Sequence, residues 1–282
     1  MATVTIQDFE AHLRERGRAE NTIENYARTV RLYAKWYQET FGQEPVQLYR
    51  VNILDYIAYL RTVRRLSNRS VNAALAALLA WNELLIERGI QTDRVLGEKD
   101  YLKVQVHYAS PSKVTKEEVE AFRQAVLIDS GVRNYALVTV LAYAGLRISE
   151  ALDLHVSDVD MAAREITVRR GKGDKNRVVF FGDKIANAVQ EYLRVRPDTD
   201  SPYLFISRKG GRLSRSSANR ICNDYSDTIT PHLLRHFYCS SAIEAGYSIN
   251  ELANQAGHSN IHTTLLYTNP TRRKMREKAN LL

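Results

Sequence analysis

Cysteine is nearly absent: Cys222 and Cys239 are the two in 282 residues, too few for a disulfide framework or a metal quartet. Such scarcity points to a reducing compartment, and the cytoplasm is the expected location. Long apolar runs are missing too. None approaches the roughly 20 residues that a membrane-spanning helix needs. The opening Met1-Ala2-Thr3-Val4-Thr5 has no basic-then-apolar order, so no secretion signal is expected. There is no internal repeat and no low-complexity segment. What remains is an ordinary globular composition, 44% hydrophobic and 26% charged, with enough length for one large domain or two average ones.

The charge is mildly basic. A formal net charge of +8 leans toward a polyanionic partner such as nucleic acid. The excess is uneven. Residues 1–110 hold 15 basic against 13 acidic side chains, and residues 111–282 hold 25 against 19.

The first hundred residues carry helical periodicity. Ile23, Tyr26, Val30, Tyr33 and Trp36 share one face of a helix that Asn21 is expected to cap. Asn52 is expected to cap a second helix, with Ile53, Tyr56, Ile57 and Leu60 inward. Ser67 caps a third, which presents Val71, Leu75, Leu78, Trp81 and Leu85 and stops at Gly89. Around Gln105 to Ser112 the periodicity lapses and a proline intervenes, which marks a linker. Thr115-Lys116-Glu117-Glu118 then has the form of a capping box. Val132 to Ala144 reads as an apolar helix punctuated by Gly145, and Glu165 to Phe181 as a β-hairpin around Gly171-Lys172-Gly173. Three further helices are expected, the last two capped at Ser248 and Ser259.

Cutting a phosphodiester without a metal or nucleotide needs cationic forks for the non-bridging oxygens, an acid for the leaving oxygen and a base for the nucleophile. A nucleophile belonging to the protein conserves the bond energy in a covalent link. Arg147 sits at the start of a helix after a tight turn, where packing explains an arginine poorly. His232 and Arg235 lie three apart on one helical face. His258 precedes the Ser259 cap, with Tyr267 nine residues on, and Lys172 stands between two glycines at the hairpin tip.

Five pieces occur together in order: Gly145-Leu146-Arg147-Ile148-Ser149-Glu150, Gly171-Lys172-Gly173, His232-Leu233-Leu234-Arg235-His236, Gly257-His258-Ser259 and Tyr267. Each is weak alone. As a set they resemble the tyrosine recombinase family, which includes phage integrases and the Xer proteins. The resemblance implies that Arg147 and Arg235 clamp the scissile phosphate, with His258 as a third donor. Lys172 would protonate the leaving 5′ oxygen, and His232 would assist proton transfer at the nucleophile Tyr267. Glu150 would be a supporting carboxylate. Phe237-Tyr238-Cys239 and Ala256 depart from the usual pattern without touching a catalytic position.

The implied fold is mainly α with a small antiparallel β-sheet, arranged as a two-domain C-shaped DNA clamp. A helical core-binding domain would span residues 1–105, a linker 106–112, and a catalytic domain with a C-terminal tail 113–282. The length argues against the additional N-terminal arm-binding domain that some phage integrases carry, so a simple recombinase is expected. The implied partner is double-stranded DNA with an inverted-repeat core site, engaged by a homotetramer whose tails pass between protomers, with no metal or other cofactor. Arg69 and Asn72, Lys175 and Arg177, and Arg215, Ser216, Asn219 and Arg220 are candidate DNA contacts. Two other readings stand beside this one: a type IB topoisomerase-like enzyme, and a silent DNA-binding regulator of the same fold. The pairs His232/His236 and His258/His262 have zinc-like spacing, but neither encloses a glutamate, and Arg235 would set a cation beside the metal.

Overall fold

A computed structural model describes residues 4–104, 114–169 and 176–257. The chain divides into two compact units, Met1–Val106 and His107–Leu282.

The first unit is helical, with α1 (Ile6–Glu15), α2 (Glu20–Phe41), α3 (Arg50–Thr62) and α4 (Asn68–Glu87). Thr5 caps α1 in a reciprocal capping box with Asp8. The expected inward faces are the ones that pack. Ile23, Val30, Tyr33, Trp36, Ile53, Tyr56, Leu78 and Leu85 join Phe9 and Leu13 in one core, and the Tyr56 ring meets Tyr33 edge-on at 5.1 Å. Two caps fall elsewhere than the sequence suggested. Ala19 and Tyr49, in extended conformation, precede α2 and α3 without a side-chain cap, so Asn21 and Asn52 lie inside the first turns. Asn21 contributes its carbonyl to the Asn25 side chain instead. Ser67 does cap α4, accepting from the Ser70 amide, and Gly89 leaves that helix with φ +68°.

The second unit is built around α6 (Val132–Tyr143), whose Leu137, Val138, Val140 and Leu141 are fully buried. Around it pack α5 (Lys116–Ser130), α8 (Asp183–Val195) and α10 (Pro231–Glu244). The short α7 (Ile148–Asp153) follows α6 directly, and α9 (Arg215–Tyr225) and α11 (Ile249–Ala256) complete the described helices. Thr115 caps α5 in the expected box. The hairpin strands β2 (Glu165–Val168) and β3 (Arg177–Phe180) pair antiparallel, with Ile166 opposite Val179 and Val168 opposite Arg177. A two-residue strand, β1 (Val159–Asp160), extends the sheet on the far side of β2. It is too short to show alternation in sequence. Four helices, α8 to α11, lie between the hairpin and Gly257, where two were expected; the third expected helix, capped at Ser259, lies outside the described residues. Helix α9 is largely polar, with Ala218, Ile221 and Cys222 its only buried side chains. The result is a mainly α fold with a small antiparallel sheet. No described helix is long and apolar enough to cross a membrane.

Candidate active site

Gly145 makes the turn between α6 and α7 with φ +65°, and a Cβ there would collide with the Tyr238 ring from α10. Only glycine meets both demands. The turn delivers Arg147 to the N-cap of α7, where its amide donates to Glu150 Oε2 at 2.7 Å. Its guanidinium spans two segments, with Nη1 on Glu150 Oε1 at 2.7 Å and Nη2 on the Gly257 carbonyl at 2.7 Å.

Helix α10 starts at the Thr230 cap with Pro231 in its first turn, a position that needs no amide donor. This presents His232 outward and places Arg235 one turn on, facing inward. Arg235 donates to the Gly145 carbonyl through Nη1 and to the Ala256 carbonyl through Nη2 at 2.7 Å. Burial, then repulsion from Arg147, lowers its pKa below the ordinary arginine value. A guanidinium starts so high that it stays cationic at neutral pH.

Arg177 completes the cluster from β3. Its two terminal nitrogens reach Glu150 Oε1 at 3.0 Å and Oε2 at 2.8 Å, and Nε donates to the Gln255 carbonyl at 3.1 Å. The Gln255, Ala256 and Gly257 carbonyls thus accept from Arg177, Arg235 and Arg147 in turn. These are groups that a helix end leaves without intrahelical partners, at the negative pole of its dipole. The side chain of Gln255 adds a bond from the Phe180 amide at 3.2 Å, which ties β3 to α11.

Glu150 lies at the centre of this arrangement. Burial by itself would raise its pKa, but hydrogen bonds from Arg177 and the Arg147 amide outweigh it and bring the value down to about 2. One carboxylate among three guanidiniums leaves a net charge of +2 to meet an anion. Arg147 is the accessible member, with 33% of its side chain exposed against 14% for Arg177. The arrangement is a preformed oxyanion receptor: charged donors held by backbone and carboxylate, with the Arg147 side chain partly exposed to solvent.

Of the expected site residues, the structure therefore brings Arg147, Glu150 and Arg235 together, with His232 on the same helix as Arg235. Lys172, Lys175, His258 and Tyr267 lie outside the described residues. His236 is half-buried, and its pKa is lowered by burial and then by His232. Among the candidate DNA contacts, Arg69 is exposed at the start of α4, and Arg215, Ser216, Asn219 and Arg220 are exposed on α9. Asn72 is engaged within its own chain, its amide bonding both the N–H and the carbonyl of Leu102 at 2.8 Å. Arg177 is turned inward onto Glu150 rather than outward. That orientation had a signal in the sequence: Arg177 and Val179 are two apart on a strand, so they share a face, and Val179 is fully buried. The carbonyls of α11 had none, since every residue has one.

Known proteins share this sequence and fold. The phage integrase family profile matches residues 112–274, and the phage integrase N-terminal SAM-like domain profile matches residues 6–92. The TnP I resolvase of Bacillus thuringiensis is 46% identical over 280 residues, covering 98% of this chain and 99% of that protein. Tyrosine recombinase XerA of Thermococcus kodakarensis is 33% identical, covering 98% of this chain and 95% of its own length. The solved structure of the Tn1549 transposon integrase with transposon right end DNA superposes with a TM-score of 0.72 at 22% identity, covering 98% of this chain and 99% of that one. This chain belongs to the phage integrase family of tyrosine recombinases.

Proposed function

We propose that this site-specific recombinase resolves transposon intermediates through a covalent tyrosine link to DNA. The observation that carries the chemistry is the pair Arg147 and Arg235, braced on the end of α11 beside Glu150, whose carboxylate Arg147 and Arg177 hold. The Tyr267 hydroxyl attacks the scissile phosphorus. A 3′-phosphotyrosine bond forms as the bond to the 5′ oxygen breaks. Arg147 and Arg235 meet the charge gathering on the non-bridging oxygens, with His258 as a third donor. Lys172 gives the departing oxygen its proton, and His232 helps to take the proton from Tyr267. In the second half of the reaction, the 5′ hydroxyl of the other strand attacks the phosphotyrosine and frees the enzyme. The energy of the broken bond is retained throughout, so the cycle closes without a cofactor.

The likeness to the TnP I resolvase over nearly the full length supports transposon resolution above chromosome dimer resolution or integration. The partner in this reading is duplex DNA with an inverted-repeat core. Residues 1–105 act as the helical DNA-binding domain, and residues 113–282 as the catalytic domain. Exposed Arg69 on α4 and the exposed face of α9 with Arg215 and Arg220 support contacts to phosphates. Four protomers act together, each passing its tail, Arg272 to Leu282, to a neighbour.

A pool of nicked duplexes with randomised inverted-repeat arms tests the reading. The protein should select one arm sequence and become covalently attached through a 3′ phosphate. Recovery of no covalent adduct from the whole pool would favour a silent DNA-binding protein. Adducts with no arm preference would favour a topoisomerase-like enzyme. Deleting Arg272 to Leu282 should weaken cooperative filling of the full site more than binding to one half-site.

A further inference from the structure

A guanidinium buried beside apolar side chains is costly unless its donors are met. Arg177 opens β3 on the face of the buried Val179, opposite the buried Val168 of β2, and keeps only 14% of its side chain exposed. Two separate features of the fold accommodate it. Glu150 takes both of its terminal nitrogens, and the Gln255 carbonyl takes Nε. At position 257 the side chain is absent, and a Cβ there would lie 2.6 Å from the central guanidinium carbon.

Arg177 therefore touches α7 and the end of α11 from a strand of the hairpin. Each of these three segments bears on a group that the proposed chemistry uses. Arg147 begins α7, Gly257 immediately precedes His258, and Lys172 lies five residues before Arg177 in the chain. Arg177 also changes what Glu150 does to Arg147. A carboxylate with a single cationic partner would form a neutral, tightly held pair and occupy the Arg147 fork. Shared between Arg147 and Arg177, the same carboxylate leaves the trio at net +1, and it accepts Nη1 of Arg147 in a direction that Arg177 fixes.

We propose that Arg177 is a positioning residue for strand cleavage, holding Glu150 so that Arg147 faces the scissile phosphate, and that it is not a DNA ligand. This rests on the recombinase reading above. Adduct formation by the unsubstituted protein tests that reading, and the ratio of variant to unsubstituted rate tests Arg177.

The measurement compares Arg177→Met and Arg177→Lys with the unsubstituted protein on the nicked duplex selected from the randomised pool. Adduct formation is timed at saturating protein, and binding is titrated over a range of salt. A small misplacement of a catalytic group costs up to about 10²-fold, so the Met variant should form adduct roughly 10- to 100-fold more slowly at saturation. The Lys variant, which keeps the charge but loses the two-pronged fork, should fall between the two. Affinity and its salt dependence should stay at the unsubstituted values in both. The Lys variant keeps a cation at Glu150, so it serves alone if the Met variant does not fold. Two results overturn the proposal. One is an adduct rate within about twofold of the unsubstituted protein in the Lys variant and in any folded Met variant, well short of that misplacement effect. The other is a defect that vanishes at saturation with a salt slope reduced by about 1, the mark of a lost phosphate contact.

Discussion

Replacing Glu150 by glutamine changes one atom type beside the guanidiniums of Arg147 and Arg177. Glu150 accepts four hydrogen bonds, two from Arg147 and two from Arg177, with 7% of its side chain exposed. A glutamine offers one acceptor oxygen and turns an amide NH2 toward cationic donors. The depressed pKa sets the size of the effect. A fall from 4.5 to about 2 corresponds to about 3 kcal/mol of differential stabilisation of the charged form. Breaking a buried ion pair by removing one partner costs about 3–5 kcal/mol, which agrees. Because the folded pKa lies below the unfolded one, this stability is fully present above about pH 4.5 and is lost as pH falls toward about 2. Glu150→Gln should therefore destabilise the second unit by about 3 kcal/mol at neutral pH and converge on the unsubstituted protein in strong acid. Tryptophan fluorescence would miss the change, because Trp36 and Trp81 are both in the first unit. Hydrogen exchange in denaturant, followed on peptides from α6 and α7 of the full chain, reports the right transition. A difference below about 1 kcal/mol at neutral pH, or one that does not shrink between pH 5 and 2, would refute the assigned role of the carboxylate.

Tyr267→Phe should bind DNA as the unsubstituted protein does and form no adduct; any 3′-linked adduct from the variant would reassign the nucleophile. Arg147→Ala and Arg235→Ala should each slow cleavage by at least about 10²-fold, the scale of losing one preorganised donor, and lysine should rescue only in part. Cleavage at near-normal rates in both lysine variants would rule out a two-pronged clamp. Lys172→Ala should be slow on ordinary DNA by roughly 10²- to 10⁴-fold, the contribution of a general acid. It should recover when sulfur replaces the bridging 5′ oxygen, since that leaving group needs no proton. An equal defect on both substrates would leave Lys172 as a phosphate contact.

The helical periodicities of the first unit were plain in the sequence because large apolar residues recur every three or four positions, and Ile23, Tyr33, Trp36 and Leu78 are indeed core. Helix starts were less legible. Asn21 and Asn52 have the side chains of good caps, yet the chain enters those helices at Ala19 and Tyr49, where packing of the inward face decides the boundary and no side-chain cap is used. At the site, Arg147 and Arg235 stood out by residue type and spacing. Their anchoring did not, because it consists of backbone carbonyls brought from sequence positions 90 to 110 residues away in the case of Gly145 and Gly257. Arg177 was visible as a basic residue after the hairpin tip, and basic residues there invite a DNA contact. The alternation of β3 was the clue to the opposite orientation.

The end of α11 works as a shared datum for three cations, and this makes its register unusually intolerant. Each residue along an α-helix turns the next carbonyl by about 100°. A one-residue insertion or deletion between Ser248 and Gly257 would swing the Gln255, Ala256 and Gly257 oxygens away from Arg177, Arg235 and Arg147 at once. Lesions in this helix should be all-or-none, removing the receptor as a unit. Insertions in surface loops remote from it should spare the receptor entirely. Substitutions confined to exposed side chains such as Arg69 on α4 or Arg215 and Arg220 on α9, the proposed DNA contacts, should leave the receptor intact, provided that the eight residues of α11 keep their count.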